Sequence, residues 1–202
     1  VRKLRALLRH RDTLLGDKLQ TENRLSTLSS TQATPEVVES LNAILQNLKD
    51  ELAKIERLIS NHIDKHPGLK DDLALLTSID GVGPQVGLNM LTVLRSHDFE
   101  NAPQAAAYLG VIPVEHRSGT SVNGRARLSK VGPPEIRAKL YMGALTAIIR
   151  NPHIKAQYER LLLKVKAKRV ALGAAMRKLV YLCYGVLHTQ QPYDRNYASA
   201  IS

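Results

Sequence analysis

Apolar residues in the first third of the chain follow the spacing of two amphipathic helices. In the first helix one face carries Leu4, Leu7, Leu8, Leu14, Leu15, Leu19, Leu25 and Leu28. In the second, apolar residues alternate steps of four and three, the heptad seam of a coiled coil, at Leu41, Leu45, Leu48, Leu52, Ile55 and Ile59. Ser29 to Thr31 interrupt the first helix, and Thr34 followed by Pro35 starts the second. The pattern predicts an antiparallel helical hairpin whose seam packs within the monomer or against another copy.

The remainder of the chain predicts a second domain that is also mainly helical. Pro67 and Gly68 end the hairpin, so we place the domains at residues 1–68 and 69–202. Only Tyr108 to Val114 has the character of an extended segment. Further helices are predicted from Ile136 to Ile149, from Pro152 toward Leu163 and from Val170 to Leu187. The predicted fold class is therefore mainly α, with an irregular loop rich in glycine and arginine.

The segment from Leu75 to Gly87 resembles a helix-hairpin-helix element. Gly81 and Gly83 permit a tight turn, and the helix that follows presents unpaired backbone amides that can hold a phosphate without reading sequence. A plain tight turn between packed helices explains the same residues. Both interpretations stay open from the sequence.

Charge is distributed unevenly along the chain. Residues 1–106 hold 13 Lys/Arg and 14 Asp/Glu, whereas residues 107–202 hold 16 and 4. A positive field confined to one half favours a polyanionic partner, because each neutralised phosphate releases condensed counterions. With one Phe and no Trp, the composition argues against a stacking platform for single-stranded bases.

The segment from Gly110 to Gly132 carries the candidate chemistry. It sets the step Ser118-Gly119 among cationic side chains, namely Arg117, Arg125, Arg127 and Lys130. A hydroxyl beside these cations suits a phosphodiester better than a neutral acyl group. The structural alternative is a serine that closes a turn or caps a helix.

Four ordered segments resemble the C-terminal transposase domain of the IS110/IS116/IS902 family, which includes the pilin-inversion recombinases. They are LLTSIDGVGPQVGLNMLTVL, QAAAYLGVIPVEHRSGTSVNGRARLSKVG, IRAKLYMGAL and AMRKLVYLCYGVL, and together they cover more than half of the chain. Full proteins of this family begin with an acidic RuvC-like nuclease domain. Because this sequence enters a helical pattern directly at Val1, we expect a piece that lacks that domain and has little activity alone. One departure is Pro133 after Gly132, where the family commonly has Asn.

The resemblance implies a DNA transposase or recombinase in which a serine attacks DNA and forms a phosphoserine link. Ser118 matches that serine, and Ser121 in the same loop is the reserve candidate. The four cations beside them would hold the phosphate, and Arg137 extends the nucleic-acid-binding set. Glu115 and His116 either assist proton transfer or are surface residues of the loop.

The resemblance also implies partners. They are DNA, a guide RNA and a second copy bound through the coiled coil. Divalent metal, expected to be Mg²⁺, would be held by the RuvC-like domain, with no cofactor in this chain and a place in the bacterial cytoplasm at the nucleoid. A different interpretation is a stand-alone helical module that binds nucleic acid and dimerises, in which Ser118 is structural.

Two further features limit the possible functions. Cys183 is the only cysteine, which excludes an internal disulfide framework and fits a reducing compartment. Arg177 and Lys178 interrupt the longest apolar run, so we expect a buried helix and no membrane span. His62 and His66 have a spacing seen in metal sites, but no nearby residues complete a ligand set, so we interpret them as exposed polar residues.

Overall fold

A computed structural model describes residues 1–29, 34–118, 122–164 and 167–197, with side chains except at 29, 115–118 and 122–126. The chain divides into two compact units, Val1–Pro67 and Gly68–Ser202. Over the described ranges it forms eight helices and one two-stranded sheet. The prediction of a mainly α fold is confirmed.

The first unit is a pair of helices, α1 (Arg2–Ser29) and α2 (Pro35–Asp64). Pro35 occupies the first turn of α2, while the side chain of Thr34 makes no capping hydrogen bond. The pKa of His62, near the end of α2, is lowered first by burial and then by the charges of His66 and Lys3. Lys3 lies near the start of α1. Because the start of one helix lies near the end of the other, the pair is antiparallel, as predicted.

Burial along α2 changes halfway along the predicted seam. Leu52, Ile55 and Ile59 are buried, whereas Leu41, Leu45 and Leu48 are only partly covered. Beside the seam, Val37, Ile44 and Leu58 are exposed at 47%, 48% and 47%, and Glu51 interrupts this row between Ile44 and Leu58. The hairpin therefore covers one apolar row and leaves the other in solvent.

The second unit contains six helices that mostly begin at prolines, a residue suited to the first helical turn because its missing N–H has no partner there. They are α3 (Pro67–Thr77), α4 (Pro84–Leu94), α5 (Ala102–Tyr108), α6 (Pro134–Arg150), α7 (Pro152–Leu163) and α8 (Lys168–Thr189). α8 is central, since α4, α5, α6 and α7 all contact it. Its residues Leu179, Val180 and Cys183 are fully buried, and burial raises the pKa of the Cys183 thiol to about 12.

α8 is also long and apolar enough to cross a membrane by length and composition. Half of that stretch is buried inside the protein. A core helix of this kind meets the same criteria, and among the described residues no other helix does.

The turn between α3 and α4 packs directly against α6. Gly81 has φ +101°, and a Cβ placed on it would lie 2.5 Å from the Cβ of Ala147 and 2.9 Å from the carbonyl oxygen of Gly143. A side chain fits neither that conformation nor that space. Backbone-to-backbone contact therefore fixes the turn.

The segment predicted as an irregular loop contains a short antiparallel hairpin, β1 (Pro113–Ser118) and β2 (Val122–Leu128). The predicted extended segment began too early, because Tyr108 ends α5. Cross-strand pairing joins Pro113 to Leu128, a partner that the local pattern of residues does not reveal. The sheet forms through this pairing and not through local propensity.

Candidate nucleic-acid interface

Two glycines with positive φ anchor the β1–β2 hairpin to the second unit. A Cβ on Gly110 (φ +67°) would lie 2.1 Å from the carbonyl oxygen of Val131, and one on Gly132 (φ +93°) would lie 2.0 Å from that of Tyr108. The amide of Lys130 donates to the Gly110 carbonyl at 3.1 Å. The two chain segments thus meet backbone to backbone, and the hairpin extends from this junction.

A β-bulge interrupts the strand pairing near the candidate serine. Val114 pairs with Arg127 and His116 with Gly124, so Arg125 and Ala126 together oppose Glu115 alone. Ser118 is the last residue of β1 and pairs with Val122. Bulges bend a strand and redirect its side chains, and they recur next to active sites.

The structure describes the side chains of only some of the predicted cations in this segment. Arg127 and Lys130 are exposed, and Lys130 adopts φ +56°. Arg137 donates to the carbonyl oxygens of Val131 at 3.3 Å and Gly132 at 2.7 Å, so it also holds the base of the hairpin. The other predicted groups lie outside the described atoms: the side chains of Glu115, His116, Arg117, Ser118 and Arg125, and the whole of Ser121.

The start of α4 is open to solvent, next to the predicted phosphate-binding residues Gly81 and Gly83. Gly83 is the N-cap residue, with φ −77° and open space around its Cα. Gln85 and Val86 carry the amides that helix geometry leaves without an intrahelical acceptor, because Pro84 has no N–H and Gly87 makes the first helical bond. The macrodipole makes this end of the helix partly positive.

A cation from α6 lies one turn further along α4. Lys139 donates to Asn89 Oδ1 at 3.3 Å, and Asn89 Nδ2 donates to the Gln85 carbonyl at 2.8 Å. Lys139 and Asn89 are 50 residues apart, so no sequence pattern signals the pair. The positive end of the helix and a lysine thus lie close together.

The segment after α8 holds the α3–α4 turn in place. The amide of Tyr193 donates to Ser78 Oγ at 2.9 Å, and its hydroxyl donates to Asn151 Oδ1 at 2.9 Å. Asn151, fully buried, donates from Nδ2 to the Asp80 carbonyl at 3.3 Å. Arg195 Nε lies 2.9 Å from Asp80 Oδ2, an ion pair without hydrogen-bond geometry. Sequence reasoning missed these residues, because each bond joins segments that are distant in the chain.

The two histidines at the end of the first unit lie side by side. The rings of His62 and His66 lie 4.4 Å apart, and His66 Nδ1 donates to the His62 carbonyl at 2.6 Å. His66 is exposed as predicted, but His62 is half-buried and its Nε2 has no partner. Across the described residues, no group of three or more His, Cys, Asp or Glu is arranged to bind a metal ion.

Exposed cations are spread over the described part of the second unit. Apart from Arg127 and Lys130, they include Arg150, Arg160, Lys164, Lys168 and Arg169. In the part of this unit from residue 107 onward, acidic residues are few, with 4 Asp/Glu against 16 Lys/Arg. The arrangement can bind phosphate groups at several places.

Comparison with known proteins identifies several that are similar to this chain in sequence. The chain is 27% identical over 195 residues to the pilin gene-inverting protein of Moraxella lacunata and, over the same length, to that of Moraxella bovis. Each alignment covers 96% of this chain and 59% of the relative. An insertion element IS110 uncharacterized 43.6 kDa protein of Streptomyces coelicolor is 25% identical over 159 residues, which cover 78% of this chain and 38% of that protein.

The chain thus spans about three fifths of the length of its curated pilin gene-inverting relatives. A family model described as Transposase IS116/IS110/IS902 family matches residues 73–159, which run from α3 into α7 and include both candidate contact sites. The resemblance drawn from the motifs is confirmed: residues 73–159 match the model of the Transposase IS116/IS110/IS902 family, and the relatives named above align over most of the chain.

Proposed function

We propose that the chain is the nucleic-acid-binding and strand-attacking part of a DNA transposase or recombinase. The observation that supports this most is the β1–β2 hairpin, anchored by Gly110 and Gly132 and carrying exposed Arg127 and Lys130 in a strongly basic unit. The names of the relatives, a gene-inverting protein and insertion-element proteins, agree with a DNA substrate.

The proposed chemical step is attack of the Ser118 hydroxyl on a DNA phosphodiester. A bond forms between Oγ and phosphorus, the bond from phosphorus to one ester oxygen of the strand breaks, and the released strand end takes up a proton as the serine loses one. Arg117, Arg125, Arg127 and Lys130 would hold the phosphate and balance the charge on its oxygens. Ser118 is the position that matches the family's serine, and Ser121 is the reserve candidate because it lies in the same loop.

The α3–α4 turn is the proposed site of duplex backbone contact. Gly83 leaves the start of α4 open, and the amides of Gln85 and Val86 point along the positive end of the helix. Lys139 lies one turn away and adds a full charge. Such contacts position a duplex without reading its bases.

Three further elements of this proposal rest on the family resemblance or on the first unit. A structured guide RNA is a second polyanionic partner, and acids of a RuvC-like domain outside this chain hold the divalent metal. A second copy of the chain is the proposed partner of the exposed residues Val37, Ile44 and Leu58, because contact with another copy would remove these apolar side chains from water.

A salt titration tests the binding part of the proposal. Affinity for a labelled duplex should fall steeply as salt rises, because the slope of log affinity against log salt is about −0.9 per neutralised phosphate. Arg127→Gln with Lys130→Asn should lower affinity and make that slope shallower by about one for each phosphate that is no longer neutralised. Asparagine is chosen because it tolerates the positive φ at position 130. Lys49→Gln, an exposed change in the first unit, is the matched control. Salt-independent binding would contradict the proposal.

A covalent-adduct assay tests the strand-attacking part. In a longer protein that also carries the acidic nuclease domain, with divalent metal, guide RNA and both DNA partners, Ser118→Ala should abolish protein–DNA adducts and strand exchange. Nucleic-acid affinity and helical content should stay nearly unchanged, because only the attacking oxygen is removed. Arg125→Ala should weaken both binding and reaction. Adducts that persist in Ser118→Ala and vanish in Ser121→Ala would transfer the role to Ser121.

A further inference from the structure

The fold gathers aromatic and imidazole rings that are scattered along the sequence. The only Phe of the chain, Phe99, lies 5.4 Å from His97 and 5.6 Å from Tyr108, measured between ring centroids. On α8, the rings of Tyr184 and His188 lie 5.6 Å apart. The planes of His97 and Phe99 are within 20° of parallel, and those of Tyr184 and His188 within 21°.

These two ring pairs line one cavity from opposite elements. The cavity measures about 220 Å³ and lies between the residues that follow α4 and the end of α8. Its volume is below the roughly 300 Å³ at which pockets for drug-sized ligands begin. The space therefore suits one flat heterocycle, of one ring or two fused rings, better than a larger ligand.

Hydrogen bonds hold the walls of this cavity before any ligand arrives. The Tyr184 hydroxyl donates to the carbonyl oxygens of Phe99 at 3.2 Å and Glu100 at 3.1 Å, which ties the segment after α4 to α8. At the edge, Arg95 binds Asp72 through Nε at 2.5 Å and Nη2 at 2.8 Å. Ordered walls reduce the entropy that binding would otherwise cost.

The polar groups of the cavity include hydrogen-bond acceptors suited to an amino group. His97 Nδ1 donates to the Val93 carbonyl at 3.2 Å, which leaves Nε2 of the neutral ring as an acceptor. Asp98 also lines the cavity and accepts through its carboxylate. Adenine, cytosine and guanine carry an exocyclic amino group, whereas thymine and uracil do not.

One cation, the half-buried Arg177, lies further along the same face of α8. Arg177, Tyr181, Tyr184 and His188 follow steps of four, three and four, which places them on one side of the helix. Arg177 is seven residues from Tyr184, about 10 Å along the helix axis. A strand whose base enters the cavity would meet this arginine with its phosphates.

We propose that this ring cavity captures one unpaired, amino-bearing base of a DNA or RNA strand, stacked on the His97–Phe99 and Tyr184–His188 pairs. This inference rests on the proposed nucleic-acid binding of the chain and adds recognition of an unpaired base to it. Stacking on aromatic side chains supplies affinity that duplex phosphates alone do not.

The test uses the 202-residue chain and two labelled duplexes that differ only in a single-stranded extension containing 2-aminopurine. The extended duplex should bind more tightly than the blunt one, on the order of tenfold for one stacked base. Binding should quench the fluorescence of the analogue. Extensions of adenine or cytosine should bind more tightly than extensions of thymine, because only the former offer the amino group.

Ring-removing variants identify the cavity as the source of that gain. Phe99→Leu and His188→Leu should abolish the advantage of the extension and the quenching, while blunt-duplex binding stays unchanged. Leucine keeps apolar volume at position 99, and His188 is exposed, so the fold should be retained. Tyr141→Leu is the matched control, because Tyr141 is 45% exposed on α6 and does not line the cavity.

Each outcome separates this inference from the function on which it rests. Equal binding of extended and blunt duplexes, without quenching, would overturn the cavity assignment while salt-dependent duplex binding supported the wider proposal. Free adenosine monophosphate bound as tightly as the extension would overturn the assignment to a strand in favour of a free nucleotide. Failure to bind either duplex at any salt would overturn both proposals.

Discussion

The two units of the chain bury their apolar residues to different extents. In the second unit, every residue from Val86 to Val93 in α4 is buried, and α8 is enclosed by four other helices. In the first unit, two helices cover each other along one row only, and Val37, Ile44 and Leu58 stay about half exposed. A helix pair has too little surface to cover two apolar rows, whereas α8 is contacted by four helices. Half of its apolar stretch is buried, and the second unit exposes apolar side chains outside its core, such as Ile149 at 72% and Leu163 at 84%.

This difference in burial parallels a difference in charge. The first unit is nearly neutral, with 11 Lys/Arg and 9 Asp/Glu in residues 1–67, while residues 68–202 hold 18 Lys/Arg against 9 Asp/Glu. A completed core leaves the second unit free to present cations and a glycine-anchored hairpin on its surface. The first unit leaves Val37, Ile44 and Leu58 about half exposed, which is the basis of the proposed association. Three predictions test this contrast.

The largest expected effect is on the tightly packed unit. Gly81→Ala should destabilise the protein by about 3 kcal/mol or more, because it combines an unfavourable positive φ with a clash against α6. Gly83→Ala in the same turn has open space and negative φ, so its cost should stay below about 1 kcal/mol. Urea unfolding followed by circular dichroism measures both.

A glycine in the first unit provides the opposite case. Gly16 lies within α1 with no heavy atom within 4 Å of its added Cβ, so Gly16→Ala should stabilise the protein by about 0.5–1 kcal/mol. Equal destabilisation by Gly81→Ala and Gly16→Ala would contradict the contrast in packing.

An intermediate effect is expected on self-association. Val37→Glu with Ile44→Glu should weaken it by roughly tenfold or more, because charges would enter an apolar contact between copies. Helical content should persist, since both positions are exposed. Sedimentation velocity over a concentration series is the measurement.

The neighbouring change Ala43→Glu is the control, because Ala43 is exposed and lies off both apolar rows. Leu52→Glu is unsuitable, because that residue is buried within the hairpin and its loss would disrupt the fold. A wild-type chain that stays monomeric at high concentration would refute the association.

The smallest effect concerns pH. Burial lowers the pKa of His62 in the folded protein, so the unfolded chain, with a value near 6.5, takes up the proton first as pH falls. The unfolding free energy should therefore decrease from about pH 8 to about pH 5, and His62→Gln should reduce that decrease. Thermal melts at several pH values are the readout. An identical pH dependence in the variant would show that His62 makes no contribution.

Local patterns in the sequence were sufficient for most of the helices. Leucine spacing and prolines at helix starts indicated α1, α2, α6, α7 and α8, because amphipathic periodicity and the fixed φ of proline act over a few residues. The family resemblance also came from the sequence, since its motifs are ordered along the chain, and the match over residues 73–159 confirms it. The roles of Ser118, of the cations beside it and of a guide RNA stay predictions.

Tertiary structure decided the features that depend on distant partners. The β1–β2 hairpin replaced part of an expected loop, because its pairing and its glycine anchors at Gly110 and Gly132 join residues with no local signal. Arg137 was expected to bind phosphate, and the structure adds a role in holding the base of that hairpin.

The ring cavity is the clearest case of this dependence. Composition alone, with one Phe and no Trp, argued against a stacking platform for single-stranded bases. The fold brings together Phe99 and Tyr184, which are 85 residues apart, so that the Tyr184 hydroxyl donates a hydrogen bond to the Phe99 carbonyl oxygen. Composition counts rings, but only the packing of α8 against the segment after α4 determines which rings share a surface, and that packing arises from contacts distant in sequence.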